Sequence, residues 1–179
     1  FWVLGGHSGS GKTRLIDEVR LQALTQGVIV HHAQSSVEVN EPYDIWRQIL
    51  KPLVLTQSIT PTQLAILKQF VPDLTQLVRI DPAPTNVAHP RVLQSSFLRV
   101  VVTLLHNLEA PQLFVIDDLQ WVSPESVVLL ERVIEMTRQY PIMVLGAYRL
   151  SEEPPRGLLS RTSNENSHTC PGACRISHH

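Results

Sequence analysis

Near the start of the chain a lysine and a threonine follow directly on a run of glycines and serines: Gly6-His7-Ser8-Gly9-Ser10-Gly11-Lys12-Thr13. The run fits G-x-x-x-x-G-K-[ST] at every fixed position, the spacing of a loop that grips phosphate. Gly6, Gly9 and Gly11 let the backbone curl, so that the amides of the loop, those of Ser8 and Ser10 included, turn inward toward anionic oxygens. A helix opening at Lys12 would add its unpaired N–H groups and the positive end of its dipole to the same anion. Lys12 would reach the β- and γ-phosphates as a charged donor, and the Thr13 hydroxyl would ligate Mg²⁺. His7 and Ser8 occupy variable positions where the backbone does the binding, so neither side chain is given a catalytic role.

The second group of reactive residues closes an apolar run, Leu113-Phe114-Val115-Ile116-Asp117-Asp118. A carboxylate at the C-terminal end of a buried strand opens into the crevice where α/β folds bind ligands. Asp117 would hold Mg²⁺, usually through water, and Asp118 would orient or deprotonate an attacking water. Two carboxylates so close repel one another, so the pair calls for a cation beside it. Gln120 and Trp121 read as packing or loop-shaping groups. Arg149 ends the run PIMVLGAYR; a forked, permanently charged side chain there could sense γ-phosphate, the alternative being a solvated arginine at a strand end. None of Lys12, Lys51 and Lys68, the three lysines, lies in the Asn/Thr-Lys-x-Asp element of guanine-specific folds. Adenine is expected by default, with ATP and Mg²⁺ as the ligand pair.

These residues need elements to hold them. FWVL reads as a buried strand entering the Gly-rich loop, and Leu15, Ile16, Val19 and Ala23 predict a helix from about Lys12 to Gln26. GVIVHH reads as a second strand, so the chain opens as strand, loop, helix, strand, the start of a parallel α/β sheet. From Pro42 to about Ala88 the pattern is helical and irregular: Tyr43 to Leu50 predict one short helix, and TPTQLAILKQF another with Thr60 as its cap. DPAPTNVAHP, with three prolines, reads as a loop. Leu93, Phe97, Val100, Val101, Leu104 and Leu108 stripe a helix ending near Glu109. QLFVI is then a strand with both faces buried, SPESVVLLERVIEM a helix with Ser123 as cap and Pro124 at its first position, and PIMVLGAYR a last strand.

A chain of 179 residues, 43% hydrophobic and 17% charged, is enough for one ordinary globular domain. Fifteen basic against 16 acidic side chains, with no basic block, point to neither nucleic acid nor an anionic membrane surface. The apolar runs are too short for a bilayer, and no secretory signal opens the chain. Cys170 and Cys174, the only cysteines, both lie near the end, so the body has no disulfide framework and a reducing, cytoplasmic setting is expected. Phe1 falls inside a strand and the last residues lose all periodicity, which reads as a cut piece. Residues 1–153 would be an incomplete core, and 154–179 an irregular or disordered tail of the kind a frame shift would leave. His168, Cys170, Cys174, His178 and His179 offer zinc-ligand types, but C-x₃-C lacks a second half-site.

With FWVLGGHSGSGKTRL, LFVIDDLQWVSPES and MVLGAYRLSE in view, the chain resembles the AAA-like, or origin-recognition-like, P-loop ATPase module of the STAND class of signalling NTPases. DDLQW before a Ser-Pro helix start, and PYDIW after the second strand, carry the resemblance beyond the phosphate loop. It covers about Phe1 to Glu153. It implies a P-loop NTPase fold of the additional-strand type, a parallel sheet flanked by helices, and here truncated at both ends. It also implies nucleotide binding by Gly6, Gly9, Gly11, Lys12 and Thr13, service to Mg²⁺ and hydrolysis by Asp117 and Asp118, and γ-phosphate sensing by Arg149. Asp118 stands where many relatives carry Glu. Such modules sit in large bacterial proteins beside serine/threonine kinase, cyclase or DNA-binding transcription-regulator domains. The function implied is an ATP-binding, Mg²⁺-dependent switch with nucleotide-dependent self-association, and no direct nucleic-acid or membrane partner. Two rivals are a non-hydrolysing nucleotide-binding scaffold, with Asp118 too short to activate water, and a small-molecule kinase, which would need an Arg-rich lid. A DNA-loading AAA protein is disfavoured by the neutral charge.

Overall fold

The computed structural model describes residues 1–39, 41–84, 89–151, 167–170 and 174–178. In chain order the elements are β1 (Trp2–Gly6), α1 (Lys12–Thr25), β2 (Ile29–Gln34), α2 (Asp44–Leu55), α3 (Pro61–Leu67), α4 (Leu74–Leu77), α5 (Pro90–His106), β3 (Gln112–Asp117), α6 (Pro124–Met136), β4 (Ile142–Arg149), β5 (Ser167–Cys170) and β6 (Cys174–His178). They form two compact units, Phe1–Trp46 with Ala110–His179, and Arg47–Glu109.

In the first unit β2, β3, β4 and β1 lie side by side in that order, all parallel. β4 therefore separates the strand that enters the Gly-rich loop from the strand that ends in the acid pair, as the additional-strand fold requires. Residues 112–116 of β3 are buried throughout, the expected state of a central parallel strand covered on both faces. One cluster of the core joins Leu4 of β1, Leu113 and Val115 of β3, and Leu145 and Ala147 of β4 to Ile16. Ile16 is the one buried residue of α1, 1% exposed, and burying such a side chain stabilises by about 2–3 kcal/mol. It anchors the helix whose N-terminus faces the loop. Ser123 caps α6 by accepting from the Ser126 amide at 3.3 Å, with Pro124 in the first turn.

Beyond β1 the sheet continues through β6 and β5, paired antiparallel. The stretch expected to be irregular thus contains two strands. The free edge of β1 offers unpaired backbone groups, which a short segment with β-branched residues such as Thr169 and Ile176 can satisfy whatever its periodicity. Among the described residues no helix is long and apolar enough to cross a membrane.

The second unit is helical. A reciprocal capping box opens α3: the Gln63 amide donates to Thr60 Oγ1 at 3.2 Å and the Thr60 amide to Gln63 Oε1 at 2.9 Å. Phe70 stacks on Phe97 of α5 with ring centroids 4.1 Å apart. α5 starts earlier than its apolar stripe suggests, because Pro90 fits the first helical turn and His89 caps it.

β2 carries a buried histidine. His31, 3% exposed, shares a hydrogen bond with Gln112 Oε1 at 2.8 Å and stacks on Phe114, while its Nδ1 is buried without a partner. Burial holds its pKa below the usual histidine value, the Gln112 bond opposing this. A lowered folded-state pKa means that the unfolded chain takes up the proton first. Stability is therefore complete above the unfolded value of about 6.5 and falls as pH drops through it. Thermal unfolding midpoints should decline more steeply from neutral pH to about pH 5 in the native sequence than in His31→Phe; parallel slopes would show that His31 does not carry the effect.

Candidate functional site

The Gly-rich loop between β1 and α1 has the backbone that its residues foretell. Gly9 and Gly11 adopt left-handed conformations, φ 77° and 85°, where a side chain would be strained. Gly11 stands at the N-cap of α1 and offers no capping side chain, which leaves donors and the positive dipole end for an anion. Lys12 curls back over the loop: its Nζ donates to the carbonyls of Gly6 and His7 at 2.8 and 2.9 Å and lies 3.5 Å from Ser10 Oγ. An ammonium group is thus held against the loop. Ser8, Gly9, Gly11 and Thr13 are exposed and Ser10 is half-buried.

The acid pair reaches the same edge of the sheet. Asp117 pairs in register with Gln34, and Gly6 with Arg149, so the loop, both acids and Arg149 all stand at the carboxyl ends of parallel strands. With β4 between them, β1 and β3 are two strand spacings apart, roughly 10 Å. Asp117 shares a face of β3 with Leu113 and Val115, which pack against Ile16, and this puts its carboxylate on the α1 face. His32 Nε2 sits 2.9 Å from its Oδ2.

Asp118 leaves the strand in a left-handed conformation, φ 55°, ψ 47°, which aspartate tolerates better than most residues. Its Oδ1 accepts from Gln120 Nε2 at 3.0 Å and lies 3.4 Å from Arg149 Nε, and its Oδ2 accepts from Gln34 Nε2 at 3.0 Å. Gln120 Oε1 in turn accepts from the Arg149 amide at 3.3 Å. Gln120 therefore bridges Asp118 and the end of β4, a stronger tie than packing. Leu119 presses onto the backbone of β4, where a Cβ on Gly146 would collide with Leu119 Cδ1; the glycine lets the acid turn close on the sheet.

Of the residues expected at the site, the structure brings Gly6 to Thr13, Asp117, Asp118 and Arg149 to one edge. His32, Gln34 and Gln120 join them. Their partners are distant in sequence or lie in a turn, so strand periodicity gave no sign of them. A hydroxyl and a carboxylate, from Thr13 and Asp117, are hard oxygen donors of the kind that holds Mg²⁺ together with substrate phosphates. The side chains of His168, Cys170, Cys174 and His178, and all of His179, lie outside the described residues.

The AAA ATPase domain model matches residues 1–145 of the chain. Among solved structures, the chain is similar to the Orc1 protein of Aeropyrum pernix in its complex with DNA, at 17% identity and a TM-score of 0.42, over 90% of this chain and 35% of that one. The chain thus spans about a third of the length of that structure. A comparison with curated proteins gives no match.

Proposed function

Since the chain belongs to the AAA ATPase domain family, we propose that it binds ATP with Mg²⁺ at the carboxyl edge of its sheet and serves as a nucleotide-controlled switch. We place it within a larger cytoplasmic signalling protein of the STAND class, beside a kinase, cyclase or transcription-regulator domain, and able to self-associate when loaded. The observation that carries the reading is the shared edge: an anion-binding loop with its lysine, and two carboxylates and an arginine across one intervening strand.

The loop amides and α1 would take the β-phosphate, and Lys12 would exchange its two loop carbonyls for phosphate oxygens. Mg²⁺, when bound, neutralises charge on the β- and γ-phosphate oxygens. Thr13 would hold it directly and Asp117 through water. Asp118 would take a proton from the attacking water, and Arg149 would stabilise charge on the γ-phosphate. In the structure Asp118 and Arg149 satisfy each other, so triphosphate must draw Arg149 away before either acts. Bound ATP would order the edge and hydrolysis would release it, which is the switch.

One observation favours a second reading. Both oxygens of Asp118 are already engaged by Gln34, Gln120 and Arg149, an arrangement suited to a scaffold that holds nucleotide without cleaving it. Metal removal separates the two. For a hydrolytic switch, EDTA should abolish phosphate release while weaker ATP binding persists. For a scaffold, ATP binds and no Mg²⁺-dependent phosphate appears. ATP that binds in neither condition would end both.

A further inference from the structure

Behind the acid turn lies a buried polar chain with no part in the chemistry above. Ser35 follows directly on β2, and its amide donates to the Asp117 carbonyl at 3.2 Å. Its hydroxyl lies 2.9 Å from the Trp121 carbonyl and 2.6 Å from Asp44 Oδ2, one proton shared between two acceptors. Ser35 thus touches the turn at both ends, at Asp117 and at Trp121, with Asp118 between. Asp44, at the start of α2, is 6% exposed, and its other oxygen accepts from Ser126 Oγ at 3.3 Å. Ser123 Oγ donates to Ser126 Oγ at 3.0 Å, and Trp46 Nε1 to the Ser126 carbonyl at 3.0 Å.

Backbone strain marks the same chain. Among the described residues, Tyr43 and Asp118 are the non-glycine residues with positive φ, 63° and 55°. Tyr43 directly precedes Asp44, and Asp118 sits in the turn that Ser35 holds. For a buried tyrosine this conformation is an outlier that persists only when its surroundings over-determine it. The strain at Tyr43 aims Asp44 inward, and the bonds of Ser35 hold the turn in which Asp118 is left-handed.

We propose that Ser35 and Asp44 form a positioning pair that fixes the Asp117–Trp121 turn, and with it the reach of Asp118. The role assigned to Asp118 rests on the function proposed above; the clamp on the turn does not. Asparagine can replace Asp44, because its amide donates to Ser35 and leaves the serine proton wholly to the Trp121 carbonyl, while its oxygen still accepts from Ser126. Alanine cannot.

The test labels the chain with 5-fluorotryptophan and follows ¹⁹F resonances of Trp2, Trp46 and Trp121, assigned by single Trp→Phe variants, alongside ATP binding and phosphate release. Ser35→Ala and Asp44→Ala should shift and broaden the Trp121 resonance. They should lower phosphate release per bound ATP by about 10- to 100-fold, the usual effect of a small misplacement, with ATP affinity changed by no more than about threefold. Asp44→Asn should restore both signals. A Trp121 resonance unmoved by Ser35→Ala, or an Asp44→Asn chain as impaired as Asp44→Ala, would overturn the clamp. Should ATP binding prove independent of Lys12, the functional reading fails, while the Trp121 resonance still decides for or against the clamp.

Discussion

Lys12→Ala should weaken ATP binding by about 10²-fold and leave the fold intact. The ammonium of Lys12 makes two short bonds to loop carbonyls, 2.8 and 2.9 Å, which phosphate oxygens would replace. Hydrogen bonds between charged groups contribute roughly 1.5–3 kcal/mol each. Loss of about 3 kcal/mol after desolvation corresponds to that factor in affinity. Without the lysine the Gly6 carbonyl still accepts from the Leu150 amide at 3.3 Å and the His7 carbonyl from the Ser10 amide at 3.2 Å, so the unfolding midpoint should stay within a few degrees. Titration of the native and variant chains with a fluorescent ATP analogue reads the effect. Equal affinities would mean that the loop binds something other than a nucleoside triphosphate.

Asp118→Asn should have the largest effect on turnover. Asparagine keeps the shape and tolerates the left-handed backbone at this position, but it cannot accept a proton from water. A general base contributes about 10²–10⁴-fold, so phosphate release should fall by at least about 10²-fold. ATP affinity should hold or rise, because Arg149 loses the carboxylate that lies 3.4 Å away and is free for the γ-phosphate. Asp118→Glu, with its longer reach, should release phosphate faster than the native chain. Release by Asp118→Asn at the native rate would remove Asp118 from the chemistry.

The sequence and the structure agree where a local pattern decides the outcome. The β-branched and apolar runs before Gly6, Asp117 and Arg149 became β1, β3 and β4; β3 and β4 end where Asp117 and Arg149 leave the core, and β1 where the Gly-rich loop begins. Thr60 and Ser123 cap helices because their side chains reach amides three residues on. The parallel sheet followed from that pattern, and the place of β4 between loop and acids from the resemblance to P-loop ATPase modules. What the sequence did not reveal depends on lateral neighbours. His32 meets Asp117, and Gln34 meets Asp118, across 85 and 84 residues, and one-dimensional spacing carries no record of such pairs. The apolar run GVIVHH points to a strand over those residues, but β2 occupies Ile29–Gln34, because its partner β3 fixes the register. Gln120 reads from the sequence as a packing or loop-shaping group, and only the folded turn shows that it ties Asp118 to β4. The strands at 167–170 and 174–178 leave no periodic trace for a similar reason: β6 pairs along the edge of β1, and β5 along β6.

The most direct test is a crystal structure of the chain with a non-hydrolysable ATP analogue and Mg²⁺. The β-phosphate should lie within hydrogen-bonding distance of the amides of residues 9–13, with Lys12 turned from the Gly6 and His7 carbonyls onto phosphate. The metal should lie between the Thr13 hydroxyl and Asp117, with Arg149 parted from Asp118. A nucleotide bound away from the Gly-rich loop, or a metal that touches neither Thr13 nor the water shell of Asp117, would contradict a triphosphate site at this edge of the sheet.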